Sequence, residues 1–177
     1  MEKIIVTEKT VENYLTKSKI GQFAINPYVG CPHACKYCYA SFMKRFTGHS
    51  ELWGDFIDIK RARHTINGSQ ITGKNVFMGT VTDCYNPYEA KYGITRSILG
   101  QLVGVDCHLQ IATKNKLIPR DLDLLKKMKH LSVALSVNTL EENFRRDMDR
   151  ASTVQERLET LRTLHENGIY TILFMSP

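Results

Sequence analysis

The chain has 177 residues, of which 42% are hydrophobic and 24% charged, the ordinary balance of one globular domain. That composition excludes a disordered chain, a collagen and a coiled coil, and no apolar run approaches the roughly 18 residues of a membrane span. Twenty-four Lys and Arg against eighteen Asp and Glu leave a formal net charge of +6, a weak bias toward polyanions. Its small basic clusters, Lys60-Arg61-Ala62-Arg63 and Lys126-Lys127-Met128-Lys129, read as solvated surface. The start, Met1 to Glu8, has too short an apolar run for a signal peptide, so a cytoplasmic location is expected.

Residues 1–20 are polar with little pattern and read as an N-terminal arm ahead of one domain over 21–177. Gln22–Asn26 reads as a short strand ending at Pro27. A cysteine-rich loop follows, and Tyr39–Phe46 suits a short helix. Asp55–Lys60 alternates and suggests an edge strand. Lys74–Gly79 is a second core-like run, Thr95–Val103 a helix and Cys107–Thr113 a third strand. A helix from about Arg120 puts Leu122, Leu125 and Met128 on one face. Leu131–Val137 is a fourth strand. Thr153 and Glu156 form a helix-opening capping box. The helix they open lines up Val154, Leu158, Leu161 and Leu164 and stops at Asn167-Gly168. Tyr170–Met175 is a fifth strand, with nothing but Ser176-Pro177 after it.

Strand and helix alternating in steps of about 30 residues mean parallel βα units. The expected fold is therefore α/β, an open or incomplete barrel that stops after about the fifth strand. In such sheets function gathers at the C-terminal ends of the strands: residues 26–38, 79–83, 113–114, 136–138 and 176–177.

Three of the five cysteines lie in Cys31-Pro32-His33-Ala34-Cys35-Lys36-Tyr37-Cys38, spaced C-x3-C-x2-C. In a reducing compartment this clustering points to metal rather than disulfides. A structural zinc wants four ligands, and a four-iron cluster normally takes four Cys. Three local thiolates therefore need a distant fourth ligand, from His33, Cys84 or Cys107, or they leave one iron open to a chelating amino and carboxylate pair. The two readings are a zinc-binding nucleic-acid module and an iron–sulfur enzyme.

The motif, with an aromatic residue before its third Cys and a place after the first strand of a βα series, resembles the radical SAM superfamily. The resemblance runs from about Phe23 to Pro177. Within the superfamily it is closest to the spore photolyase-like (DNA repair photolyase-like) group, through Asn26-Pro27-Tyr28-Val29-Gly30-Cys31, Gly79-Thr80-Val81-Thr82-Asp83-Cys84-Tyr85-Asn86-Pro87-Tyr88-Glu89 and Ile111-Ala112-Thr113-Lys114-Asn115. It implies a partial (βα)6 barrel and a [4Fe–4S] cluster on Cys31, Cys35 and Cys38. S-adenosylmethionine on the fourth iron would be split by one electron to give a 5′-deoxyadenosyl radical for hydrogen abstraction. The usual electron donor is a flavodoxin or ferredoxin.

The same resemblance implies roles at the strand ends. Tyr37 matches the aromatic near the adenine, and Tyr39 is a second candidate there. Where many members carry a Gly-Gly-Glu-like segment for the methionine amino group, this sequence offers Thr82 and Asp83, both able to accept from an ammonium. Asp83 also suits a turn cap before Asn86-Pro87. Lys114 matches the lysine that meets the methionine carboxylate. Ser136 and Asn138 suit the carboxylate or ribose hydroxyls, and Arg157 reads as a surface ion pair.

DNA-repairing members carry a cysteine hydrogen donor just before their Thr-Ser-Asp segment. Alignment on Asp83 puts Thr80 there, which argues against spore photoproduct repair and leaves Cys84 as the candidate hydrogen donor. Nucleic acid is a candidate substrate, with Tyr85, Tyr88 and Tyr92 available for stacking. A partner or a second copy is expected to cover the open parallel edge.

Overall fold

The computed structural model describes residues 4–175, so the chain end Ser176-Pro177 lies outside the described residues. Its strands are β1 (Ile5–Val11), β2 (Leu15–Lys17), β3 (Phe23–Ile25), β4 (Tyr28–Val29), β5 (Phe56–Ala62), β6 (Asn75–Met78), β7 (His108–Thr113), β8 (His130–Ser136) and β9 (Tyr170–Phe174). The helices are α1 (Glu89–Tyr92), α2 (Ile94–Leu102), α3 (Leu122–Leu125), α4 (Glu142–Met148) and α5 (Val154–Glu166). A 3₁₀ helix covers Tyr39–Phe46, where the sequence suggests a short helix.

The main sheet has the order β2-β3-β6-β7-β8-β9. β3, β6, β7, β8 and β9 are parallel, and β2 joins β3 antiparallel. These five parallel strands are the five apolar runs expected from the sequence, each within a residue or two of its predicted ends. Val76, Met78, Leu109, Ile111, Val133 and Leu135 alternate onto one face and are almost wholly buried. They pack with Ile98, Leu99 and Leu102 of α2, Leu125 of α3 and Leu164 of α5 into one core. Phe77, Gln110 and Ser132 alternate onto the opposite face and remain partly exposed. Among the described residues no ladder joins β2 to β9. The fold is thus an α/β parallel sheet with two open edges.

A second sheet has the order β1-β5-β4. It changes two expectations. Residues 5–11 form a strand inside the stretch read as an arm, pairing parallel with β5 from Ile5↔Phe56 to Val11↔Ala62. Ile5, Val6, Thr7, Thr10 and Val11 are β-branched and favour extended backbone, but the strand is mostly exposed and so carries no apolar pattern. β5, expected at an edge, is the central strand, and Phe56 to Ile59 are all buried.

The helices follow their capping chemistry. Thr153 Oγ1 accepts from Glu156 N (3.2 Å) and the Glu156 carboxylate accepts from Thr153 N (2.9 Å), the expected capping box. Gly168 at φ +80° follows the helix. The buried stripe of α5 is Val154, Arg157, Thr160 and Leu164, and Leu158, expected on that face, is 40% exposed. The buried guanidinium of Arg157 takes its place. The helix expected from Arg120 is a 3₁₀ turn followed by the single turn of α3. α4 escaped the sequence reading because its only buried residue is Arg145.

Candidate active site

The segment between β3 and the cysteine loop explains its own residues. Asn26 Nδ2 donates to Thr80 Oγ1 (2.8 Å), and Asn26 Oδ1 accepts from Val81 N (3.0 Å), tying the end of β3 to the loop after β6. The buried Tyr28 hydroxyl donates to the buried Glu89 carboxylate. Gly30 has φ +83°, and a Cβ there would stand 2.4 Å from the Phe56 carbonyl oxygen. Gly30→Ala is therefore expected to cost more than about 1 kcal/mol, read as a lower denaturant midpoint with unchanged m.

The loop then turns on itself through Ala34 N to Cys31 O (3.1 Å) and Cys38 N to Cys35 O (3.1 Å). Ala34 adopts φ +47°, a conformation non-glycine residues hold only when their surroundings over-determine it. Gly54 makes the room, since a Cβ on it would lie 2.5 Å from Ala34 Cβ. Lys36 N to Met148 O (2.9 Å) and Arg150 N to His33 O (2.7 Å) pin the outside of the loop to the end of α4 and the turn after it. All five cysteines are free.

Cys31, Cys35 and Cys38 line one cavity of about 230 Å³ together with Tyr39, Thr82, Asp83, Lys114 and Ser136. Four parallel strands deliver this lining at their C-terminal ends: Gly79 to Asp83 after β6, Thr113 and Lys114 at β7, Ser136 at β8 and Phe174 at β9. Most of the expected site residues thus line the cavity; Tyr37, Asn138 and Cys84 do not. Tyr37 and Asn138 flank the cavity, where Asn138 Nδ2 donates to the Tyr37 hydroxyl (3.0 Å).

Both oxygens of the Asp83 carboxylate are engaged. It accepts from Tyr85 N (2.9 Å) and Thr113 Oγ1 (2.7 Å) on one oxygen and from Lys114 N (2.7 Å) on the other. Burial pushes its pKa up, but His33, the Lys114 N–H and Thr113 outweigh this and bring it down to about 2. Its bond to Tyr85 N is the turn cap foreseen before Asn86-Pro87. Thr82 donates its hydroxyl to the Gly30 carbonyl (2.7 Å).

Lys114 Nζ lies 5.7 Å from the centre of the Tyr37 ring, within cation–π range. Among the described residues it has no carboxylate partner within 4.0 Å, although thirteen other Lys or Arg contacts to carboxylates are formed. Tyr39 is 64% exposed, with its hydroxyl on the Thr80 carbonyl at the cavity wall. Burial pushes the Cys35 thiol up to about 12 and also raises Cys38 and Tyr37. A bound metal deprotonates such thiols outright.

The donor set suits a cluster. Among the described residues no three His, Cys, Asp or Glu side chains close on one point as a single ion requires, whereas tetrahedral zinc holds all its ligands at about 2.0–2.3 Å. A cluster binds each thiolate to a different iron, so three thiols spread around one cavity fit it. Among the described residues His33 Nδ1 and Trp53 Nε1 are buried without a hydrogen-bond partner.

Several expectations are corrected. Cys84 is fully buried in the core, its Sγ 3.9 Å from the Ala112 carbonyl, and it does not line the cavity. The apolar packing that holds the β6 loop takes that side chain, so this arrangement offers no hydrogen donor there. Cys107 precedes β7, at the opposite end of the sheet. Tyr85 is a core residue bonded to Asp121 (3.1 Å), which removes it from base stacking. Arg157 is wholly buried rather than a surface ion pair, and it donates to Asp149 Oδ1 (2.6 Å), Ser152 O (2.7 Å) and Ser136 O (3.1 Å). Asp149, His33 and Trp53 carry the site's supporting contacts and were missed as such. Only the place of His33 inside the cysteine motif signals its part.

A parallel sheet whose C-terminal ends gather loop thiols and a free ammonium around a cavity defines an α/β protein built to hold a reactive group. The family model of the radical SAM superfamily matches residues 25–176, and the chain belongs to that superfamily. It is 38% identical over 164 residues to the protein MJ0683 of Methanocaldococcus jannaschii, covering 92% of this chain and 62% of that protein. It is 32% identical over 168 residues to the ORF301 protein of Acidianus two-tailed virus, covering 88% and 55%. The chain thus spans roughly half to three-fifths of the length of these relatives. Among solved structures, spore photoproduct lyase complexed with dinucleoside spore photoproduct superposes with a TM-score of 0.68 at 15% identity, over 97% of this chain and 51% of that one. That likeness is one of fold.

Proposed function

We propose that this chain carries the cluster-binding and S-adenosylmethionine-binding core of a radical SAM enzyme. The observation that carries the reading is the meeting of three loop thiols and the ammonium of Lys114, unpaired among the described residues, on one cavity at the C-terminal strand ends. In this reading Cys31, Cys35 and Cys38 hold a [4Fe–4S] cluster whose fourth iron is left for S-adenosylmethionine. When bound, the reduced cluster and S-adenosylmethionine supply reductive sulfonium cleavage and, through it, hydrogen-atom abstraction from a substrate.

The protein's own groups bind and orient. Lys114 makes a charge-assisted bond to the methionine carboxylate, with the Ser136 hydroxyl beside it. Asp83 positions Lys114 through its backbone N–H, each of its oxygens already accepting at least one hydrogen bond. The hydroxyl of Thr82 is likewise given to Gly30. Tyr37, held by Asn138, presents its ring to the adenosyl group, and Tyr39 flanks the mouth. Apolar walls from Phe77, Ala112 and Phe174 exclude water from reactive chemistry.

The five parallel strands fit a partial (βα)6 barrel open after β9, whose Leu173 and Phe174 are about half exposed, and a further strand, a partner or a second copy would pair there. A flavodoxin or ferredoxin is the proposed electron donor. The net charge gives little support to a nucleic-acid substrate at the two basic clusters, because Arg61, Arg63 and Lys129 are paired with Glu8, Glu12 and Asp106. The radical chemistry is therefore proposed without an assigned substrate.

The test is protein purified or reconstituted without oxygen. About four irons per chain with broad visible absorption are expected, and dithionite with S-adenosylmethionine should release methionine and 5′-deoxyadenosine. About one zinc and no iron would overturn the reading in favour of a zinc-binding module.

A further inference from the structure

Among the described residues two buried nitrogens beside the cysteine loop, His33 Nδ1 and Trp53 Nε1, make no hydrogen bond of good geometry. His33 is 1% exposed and lines the cavity with the three thiols. Its neighbour sets its tautomer. Leu117 N donates to Asn115 Oδ1 (3.0 Å), so the amide group that meets His33 Nε2 at 3.4 Å is Asn115 Nδ2. An amide NH₂ only donates, so Nε2 is the nitrogen left to accept in the neutral ring, and Nδ1 carries a proton in the neutral and the charged ring alike. That N–H lies 3.2 Å from Asp83 Oδ2, off the line of a hydrogen bond, and its other polar neighbour is the Cys31 sulfur.

Trp53 comes from the loop before β5, where its ring stands edge-on to Phe56 at 5.7 Å between centroids. Its indole nitrogen can only donate, and the polar atom beside it is the Cys38 sulfur. A buried donor left unpaired is costly, and native structures rarely keep one without a reason. A thiol is a weak acceptor. A thiolate bound to iron carries negative charge and accepts far better.

We propose that the His33 Nδ1–H and Trp53 Nε1–H groups donate hydrogen bonds to the sulfurs of Cys31 and Cys38 when the cluster is bound, and so help to set its reduction potential. The inference rests on the proposed cluster. Hydrogen bonds to the sulfurs stabilise the more negative, reduced state and raise the potential. His33 also lies beside Asp83 (3.2 Å), whose carboxylate accepts from Lys114 N at the end of β7.

The experiment is an anaerobic redox titration of the reconstituted protein, followed by electron paramagnetic resonance of the reduced cluster. Trp53→Phe keeps the packing ring and removes one N–H. His33→Leu removes the other, and His33→Asn keeps an N–H near the position of Nδ1. Trp53→Phe and His33→Leu are each expected to move the midpoint to more negative potential, with a further move in the double variant and recovery in His33→Asn. Wild-type midpoints in both single variants at full iron content would overturn the inference and leave the cluster reading standing. Absence of iron from the wild type overturns both. Should His33→Leu bind iron poorly, recovery of iron by His33→Asn supports the proposal and failure to recover it counts against it, with Trp53→Phe deciding independently.

Discussion

Replacing Cys31, Cys35 or Cys38 by alanine is expected to empty the protein of iron, abolish S-adenosylmethionine cleavage and leave the fold in place. The three thiols face a cavity, and none belongs to the apolar core cluster that contains Cys84 and Cys107. Their loop is held instead by backbone bonds, from Arg150 to His33 and from Lys36 to Met148. A thiol deleted there costs little packing, so circular dichroism and the thermal midpoint should stay close to wild type. Iron should fall from about four per chain to a background level, and 5′-deoxyadenosine formation with it. Cys107→Ala is the matched control. It removes the same kind of side chain at the far end of the sheet, and it should keep its iron while losing some stability through a small core cavity. Wild-type iron retained in all four variants would mean that iron is bound non-specifically, and the cluster assignment would fall.

A second large effect belongs to the buried pair Arg157–Asp149, whose side chains are both 0% exposed. Asp149→Ala leaves a guanidinium in the interior with only the carbonyls of Ser136 and Ser152. Breaking a buried pair by removing one partner costs about 3–5 kcal/mol, a large share of the stability of a domain this size. The measurement is a urea titration, with a lower midpoint and unchanged m expected. Replacing both partners with apolar residues of similar volume should recover much of the loss, because the desolvation of two charges is then also removed. The pair also serves the site. Arg157 holds the end of β8 at Ser136, while Asp149 Oδ2 accepts from the Tyr37 hydroxyl (3.4 Å). Loss of Asp149 should therefore weaken adenosyl binding even at temperatures where the variant is folded. An Asp149→Ala protein as stable as wild type would show that water reaches Arg157.

The cysteine loop and the five parallel strands were legible from the chain, whereas Lys114 stood out only through the resemblance to the radical SAM superfamily. The first two rest on local signals: a fixed thiol spacing and a short apolar run between turn residues. Local signals survive without coordinates because the backbone alone puts the ends of parallel strands on one side of the sheet. The capping box at Thr153 and Glu156 was legible for the same reason, since both partners lie within one helical turn.

What lay beyond the sequence concerns where side chains point and with which distant residues they share their hydrogen bonds. Asp83 reads as a ligand-binding carboxylate until Thr113, Lys114 and Tyr85 are seen to occupy its oxygens, contacts of which two come from some 30 residues away. Cys84 follows Asp83 directly, but the turn sends it into the core. β1 pairs with a strand about 50 residues on, and its exposed faces give no periodic pattern to read. The sequence by itself determined the order of the elements and the end of the sheet at which the chemistry-bearing residues collect, because these follow from patterns a few residues long. Only the tertiary structure decided which of those residues face the cavity and which brace it, because that depends on burial and on polar partners brought together from far along the chain.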